Sequence, residues 1–112
     1  MIQWATLSAA AMPVLKLLHH IPNGGKRTKA EAGRFKAMGV RKGVCDLFLP
    51  CAKRGYHGLY IEMKAPGGSL SPEQREFIKG VENEGYMAVV CYSARQAIQT
   101  LDFYLSGGAI KL

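Results

Sequence analysis

Three side chains in the middle of the chain could do chemistry together: Asp46, Glu62 and Lys64, spaced as D-x(15)-E-x-K. Two carboxylates supply the hard oxygen ligands that Mg2+ accepts, with waters and a phosphate oxygen filling out an octahedron. A cation held there lowers the pKa of a coordinated water and offsets negative charge developing at phosphorus. Lys64, two residues beyond Glu62, would orient or deprotonate the attacking water, or stabilise that charge. The chemistry is metal-assisted phosphodiester hydrolysis, provided the fold brings the three groups to one point.

The elements that must do so read as two adjacent strands. In Leu59-Tyr60-Ile61-Glu62-Met63-Lys64, apolar residues alternate with Tyr60, Glu62 and Lys64, so these three share one face. Val44 to Leu49, bounded by Gly43 and Pro50, is a second strand that carries Asp46. The short "CAKRGYHG" between them predicts a hairpin and antiparallel pairing, which puts all three ionisable groups within reach of each other. A surface ion pair would account for Glu62 and Lys64 alone. Asp46 on the neighbouring strand favours a site.

Around this pair, the segment from Ile2 to about His20 is Ala- and Leu-rich and predicts a helix interrupted at Pro13, with His19 and His20 as cationic partners of its C-terminal dipole. "IPNGGKR" is a turn whose Asn23-Gly24-Gly25 amides could meet a phosphate. A short helix is expected from Thr28 to Met38. Ser71, Pro72, Glu73 and Gln74 spell a capping box, opening a helix with Phe77, Ile78 and Val81 on one stripe. "YMAVVCY" is a buried strand, and Ser93 with Gln96 opens a last helix through Leu101 and Tyr104 by a second box. Strand, helix, strand implies a crossover to a parallel neighbour. The fold class is therefore α/β, a small mixed sheet flanked by helices, in a single domain over residues 1–112.

Fifteen Lys and Arg against eight Asp and Glu give a formal charge of +7, which points to a polyanionic partner such as nucleic acid. Lys26, Arg27, Lys29, Arg34, Arg41 and Lys42 gather ahead of Asp46 and are candidate phosphate contacts whose affinity would fall with salt. Three cysteines without a C-x-x-C pair indicate neither a disulfide framework nor a zinc knuckle, in keeping with a reducing cytoplasm. Lys16 and Pro13 interrupt the apolar N-terminal run before it reaches the ~20 residues of a membrane helix, so no membrane association is expected.

The ordered set of words "IPNGGKR", "GVRKGVCDLFLP", "YIEMKAPGGSLSPEQREFI" and "GYMAVVCYSARQAI" resembles the VRR-NUC domain of the PD-(D/E)xK nuclease superfamily, in its stand-alone phage and bacterial form. The resemblance runs from about Ile2 to Tyr104 and implies a restriction-endonuclease-like core. It implies a Mg2+- or Mn2+-dependent DNA endonuclease, similar to Holliday junction resolvases, that cuts branched DNA as a homodimer. Asp46, Glu62 and the backbone carbonyl of Met63 would be metal ligands, Lys64 the catalytic lysine, and Gln74 the family's glutamine at the catalytic site. Two departures stand out: Cys45 replaces the family's Pro before the aspartate, and no carboxylate precedes Glu31, so the acid of the first helix is not matched. The rival reading is a non-catalytic nucleic-acid-binding module with the same fold. A structural basic protein would leave the strand acids without a purpose.

Overall fold

A computed structural model describes residues 2, 4, 5, 12–22 and 42–107. The alternating segment forms strand β3, Leu59–Met63, whose antiparallel neighbour β2 spans Leu47–Leu49 with Leu47 opposite Ile61 and Leu49 opposite Leu59. The hairpin between them closes on Lys53 and Tyr56, which exchange N–H···O bonds of 3.1 and 2.8 Å. Arg54 and Gly55 at its tip have φ of 55° and 85°. Two successive left-handed residues match the right-handed twist of the flanking strands, as in a type I′ turn.

Helix α1, Pro72–Asn83, starts as its sequence predicts. Ser71 Oγ accepts from the Gln74 N–H at 3.1 Å, and Gln74 Oε1 accepts from the Ser71 N–H at 2.9 Å. After α1, strand β4 at Met87–Cys91 pairs parallel to β3, with Glu62 opposite Val90 and Met63 opposite Cys91. Helix α2, Ala94–Ser106, follows and ends at Gly107 in the left-handed region, φ 81°. The second capping box closes only by half. Ser93 Oγ accepts from Gln96 N at 3.1 Å, but Gln96 Oε1 reaches past Ser93 to accept from Tyr92 N at 2.8 Å.

Ile2, Trp4 and Ala5 are helical, as the sequence predicts, but from Pro13 onward the chain departs from the expected helix. Pro13–Leu17 is a short 3-10 helix and His19–His20 is a strand, β1, paired antiparallel to β2 with His19 opposite Phe48. The histidines are therefore not at a helix C-terminus; His19 Nδ1 donates to the Leu17 carbonyl at 3.0 Å and its ring stands edge-on to Phe48. Pairing with an existing sheet edge decides the conformation here, and that partner is 29 residues away in sequence. The strand expected over Val44 to Leu49 is also shorter, because Asp46 sits in a bend one residue before β2. The helix expected from Thr28 to Met38 and the Asn23-Gly24-Gly25 turn lie outside the described residues.

The four strands are ordered β1-β2-β3-β4, and the two faces of this sheet are packed differently. One face presents Leu47, Leu49, Leu59, Ile61 and Cys91 to Ala97, Leu101 and Tyr104 of α2, with Leu15 and Leu18 closing the core. Tyr104 is fully buried with its hydroxyl satisfied: it donates to the Cys51 carbonyl at 2.6 Å and accepts from Lys53 N at 3.3 Å. The other face carries an aromatic set, with Phe48 stacked on Tyr60 at 4.3 Å and Phe77 of α1 edge-on to Tyr60 at 5.2 Å. Four residues of α2 are buried, whereas α1 buries none. Among the described residues no helix is long and apolar enough to cross a membrane.

Candidate active site

Glu62 lies near the end of β3, flanked by β2 and β4, on the face opposite the Leu59 and Ile61 core. Only 2% of the residue is exposed, and its Oε1 is buried with no hydrogen-bond partner. Such an oxygen costs roughly 1–3 kcal/mol unless something completes it. Burial pushes the Glu62 carboxyl up to about 8, a hydrogen bond to Asp46 and the Asp46 charge push the same way, and Lys64 opposes them. The Glu62 carboxyl is thereby held toward its protonated form.

Asp46 reaches the same point from the bend before β2. Its Oδ2 accepts the backbone N–H of Met63 at 2.7 Å, which ties the bend to the end of β3. Ile21 N donates to the Asp46 carbonyl at 2.7 Å, anchoring the bend from the β1 side. Lys64, half-buried, follows β3 directly, and its N–H donates to the Cys91 carbonyl at 2.9 Å, continuing the parallel ladder by one residue. Asp46, Glu62 and Lys64 are thereby brought together, although Asp46 arrives from a bend and not from within a strand.

Cys45 is completely buried beside them. Burial, reinforced by the charges of Glu62 and Asp46, pushes its thiol up to about 12, so it remains a neutral packing group. Nothing in its position competes with the carboxyls for a hard cation, because a protonated thiol is not a ligand.

The approach to Asp46 rests on α1 through a glycine the sequence reading took only as a strand boundary. Gly43 has φ 85°, and a Cβ there would lie 2.5 Å from both C and O of Glu73 and 2.9 Å from Gln74 N. The first turn of α1 is thus packed directly against the segment that delivers Asp46, and Gln74 with it. The Gln74 side-chain oxygen is engaged by Ser71 in the cap. The signal for Gly43 was its place three residues before the acid; only tertiary packing shows why a side chain is excluded. Lys42 is exposed next to it, whereas Lys26, Arg27, Lys29, Arg34 and Arg41 lie outside the described residues.

The donor set fits a hard divalent cation. It has two close carboxyls, one of them with a buried oxygen without a partner, and a lysine whose charge does not offset the burial of Glu62. Among the described residues, no three His, Cys, Asp or Glu side chains gather into a metal cluster.

No curated protein matches the chain. A solved structure described as "VRR_NUC domain protein" is similar over 93% of this chain and 84% of that one, with 31% identity and a TM-score of 0.72. The VRR-NUC domain model matches residues 3–95, a span that takes in the Asp46 bend, the E-x-K strand, α1 and β4. Fold and family model agree on the same residues, and the chain belongs to the VRR-NUC family of nuclease-like domains.

Proposed function

We propose that the chain is a Mg2+- or Mn2+-dependent DNA endonuclease that cuts branched DNA, in the manner of a Holliday junction resolvase, and does so as a homodimer. The observation that carries this reading is the buried, unpartnered Oε1 of Glu62 beside Asp46. Asp46, Glu62 and the Met63 carbonyl are the groups that would hold the metal. When bound, the metal supplies an acidified water and charge neutralisation at phosphorus.

The chain's own residues do the rest. Asp46, through its bond to Met63 N, keeps the β3 backbone in register with the bend, so both carboxyls face one point. Lys64 holds a positive charge on the same face two residues on, where it attracts the phosphodiester and orients the attacking water in line. Burial of Glu62 excludes bulk water from its inner oxygen. Gln74 stands at the first turn of α1, against the Asp46 segment, and in this reading positions that segment. The basic residues ahead of Asp46, Lys42 among them, supply salt-dependent affinity for the backbone. Two copies, each with one site, would cut two strands of a branched substrate.

The test is cleavage of labelled four-way junction, flap and linear duplex DNA with Mg2+ or Mn2+, beside Asp46→Ala. Metal-dependent cutting of the junction, lost in the variant, is the expected result. Salt-sensitive binding of all three substrates with no cutting of any would replace the nuclease by a non-catalytic binding module of the same fold.

A further inference from the structure

Tyr92 is the first residue after β4 and one of the most exposed large side chains of the described residues, at 41%. Its position is set by the site already described. Met63 pairs with Cys91, and the next ladder bond runs from Lys64 N to the Cys91 carbonyl. Tyr92 follows in the bend that leads to α2, next to the carbonyl that Lys64 N bonds and two residues beyond Val90, the partner of Glu62. Alternate residues of a strand are about 6.6 Å apart and neighbouring strands about 4.8 Å. By that spacing the backbone of Tyr92 lies on the order of 8 Å from that of Glu62.

The backbone there is held by a bond that the helix cap does not require. In a complete capping box Gln96 would accept from the N–H of Ser93; instead it accepts from Tyr92 N at 2.8 Å. Tyr92 is thereby pinned at the corner between β4 and α2, with its neighbour Cys91 buried at 1% exposure. From Gly85 to Leu101 the sequence has no Asp or Glu, and Arg95 is its one charge, so this corner does not repel phosphate. An exposed aromatic residue on a pinned backbone, next to the end of the strand that carries the candidate site, has the properties of a stacking platform.

The geometry points to Tyr92 as a substrate-contact residue that stacks on a base left unstacked at a branch next to the scissile phosphate. This rests on the nuclease reading above and adds the class of substrate: DNA with an unstacked base at the cut, as at a branch point, as opposed to continuous duplex. A base held in a duplex has both faces covered by its neighbours, so the ring can gain only from one that is unstacked.

The experiment uses the full chain and its Tyr92→Ala and Tyr92→Phe variants. Binding is measured in EDTA to two DNAs of equal length carrying 2-aminopurine. One holds the probe unstacked at a branch and the other pairs it within continuous duplex. Cleavage of the branched DNA with Mn2+ is measured in parallel. We expect Tyr92→Ala to weaken binding of the branched probe by about 5- to 150-fold and to relieve quenching of the 2-aminopurine. Tyr92→Phe should retain both, and duplex binding should not change. Equal losses on both DNAs, no loss on either, or a Phe variant as weak as the Ala variant would overturn the stacking role. If that result comes with wild-type cleavage intact, the nuclease reading survives. Wild-type protein that binds neither DNA would overturn both.

Discussion

The carboxylate of Asp46 and the backbone N–H of Met63 meet at 2.7 Å across 17 residues of sequence. That bond makes Asp46 a structural clamp as well as a candidate ligand, and the two roles separate by substitution. Asp46→Asn keeps an oxygen to accept from Met63 N and should fold with near wild-type stability. Asp46→Ala leaves a half-buried N–H unpaired and should lose about 1 kcal/mol in urea denaturation. Both should lose metal-dependent cleavage. An Asn variant that cuts at the wild-type rate would remove the carboxylate from metal binding.

The pH dependence of the metal-free protein follows from Glu62. Its carboxyl is held up to about 8 in the fold, above the ordinary value of 4.5, so the folded state binds the extra proton. The stabilisation is full below the ordinary value and is lost as pH rises through about 8, at up to about 1.4 kcal/mol per pH unit. Melting in EDTA across pH 5 to 9 should show Tm falling over this range, and Glu62→Gln should flatten the slope. A divalent metal held here would compete with the Glu62 proton, so stabilisation of the wild type by Mn2+ should grow with pH; Tm independent of both would count against a metal at this pair.

Lys64 reads out differently from the acids. Lys64→Ala should reduce cleavage at least 100-fold while leaving DNA binding within a few-fold, because one charge among many contributes little to backbone affinity. Single-turnover rates beside anisotropy titrations would separate the two. Unchanged rates would take Lys64 out of the mechanism.

Gln74 has one side-chain oxygen already used by the cap. Gln74→Glu keeps that acceptor, whereas Gln74→Ala removes it and should cost about 1 kcal/mol. If Gln74 only caps α1, Gln74→Glu should cleave like the wild type. Loss of cleavage in the Glu variant at unchanged Tm would place the amide in the site.

Gly43→Ala should disturb both fold and site. The left-handed backbone alone costs about 1–2 kcal/mol for an L side chain, and the added Cβ would press on the Glu73 carbonyl. Chemical denaturation should show a loss of at least that size, and cleavage should fall because the shift propagates to Asp46. A variant as stable as the wild type would mean that the segment and α1 are not in contact.

Local chemistry made much of this legible from sequence. The period of two in Leu59 to Lys64 and the Ser71 to Gln74 box each depend on neighbours within a few residues, and each formed as read. What failed depends on distant partners. His19 and His20 carry no alternation of their own and become a strand because β2 offers an edge. Asp46 leaves β2 because its side chain is committed to Met63 N, and Gln96 leaves its cap because Tyr92 N competes for it. The site was visible as residue types at a spacing; the bend and the glycine that aim it were not.

The unequal packing of the two sheet faces bears on how the molecule works. With four buried residues, α2 is fastened to the scaffold, while α1, which buries none, lies over the aromatic face with the first turn that touches the Asp46 segment. Opening free energy follows buried apolar contact. The layer least costly to move is therefore the one that touches the Asp46 segment, so a small shift of α1 would change the aim of Asp46 while Glu62 stays fixed in the sheet.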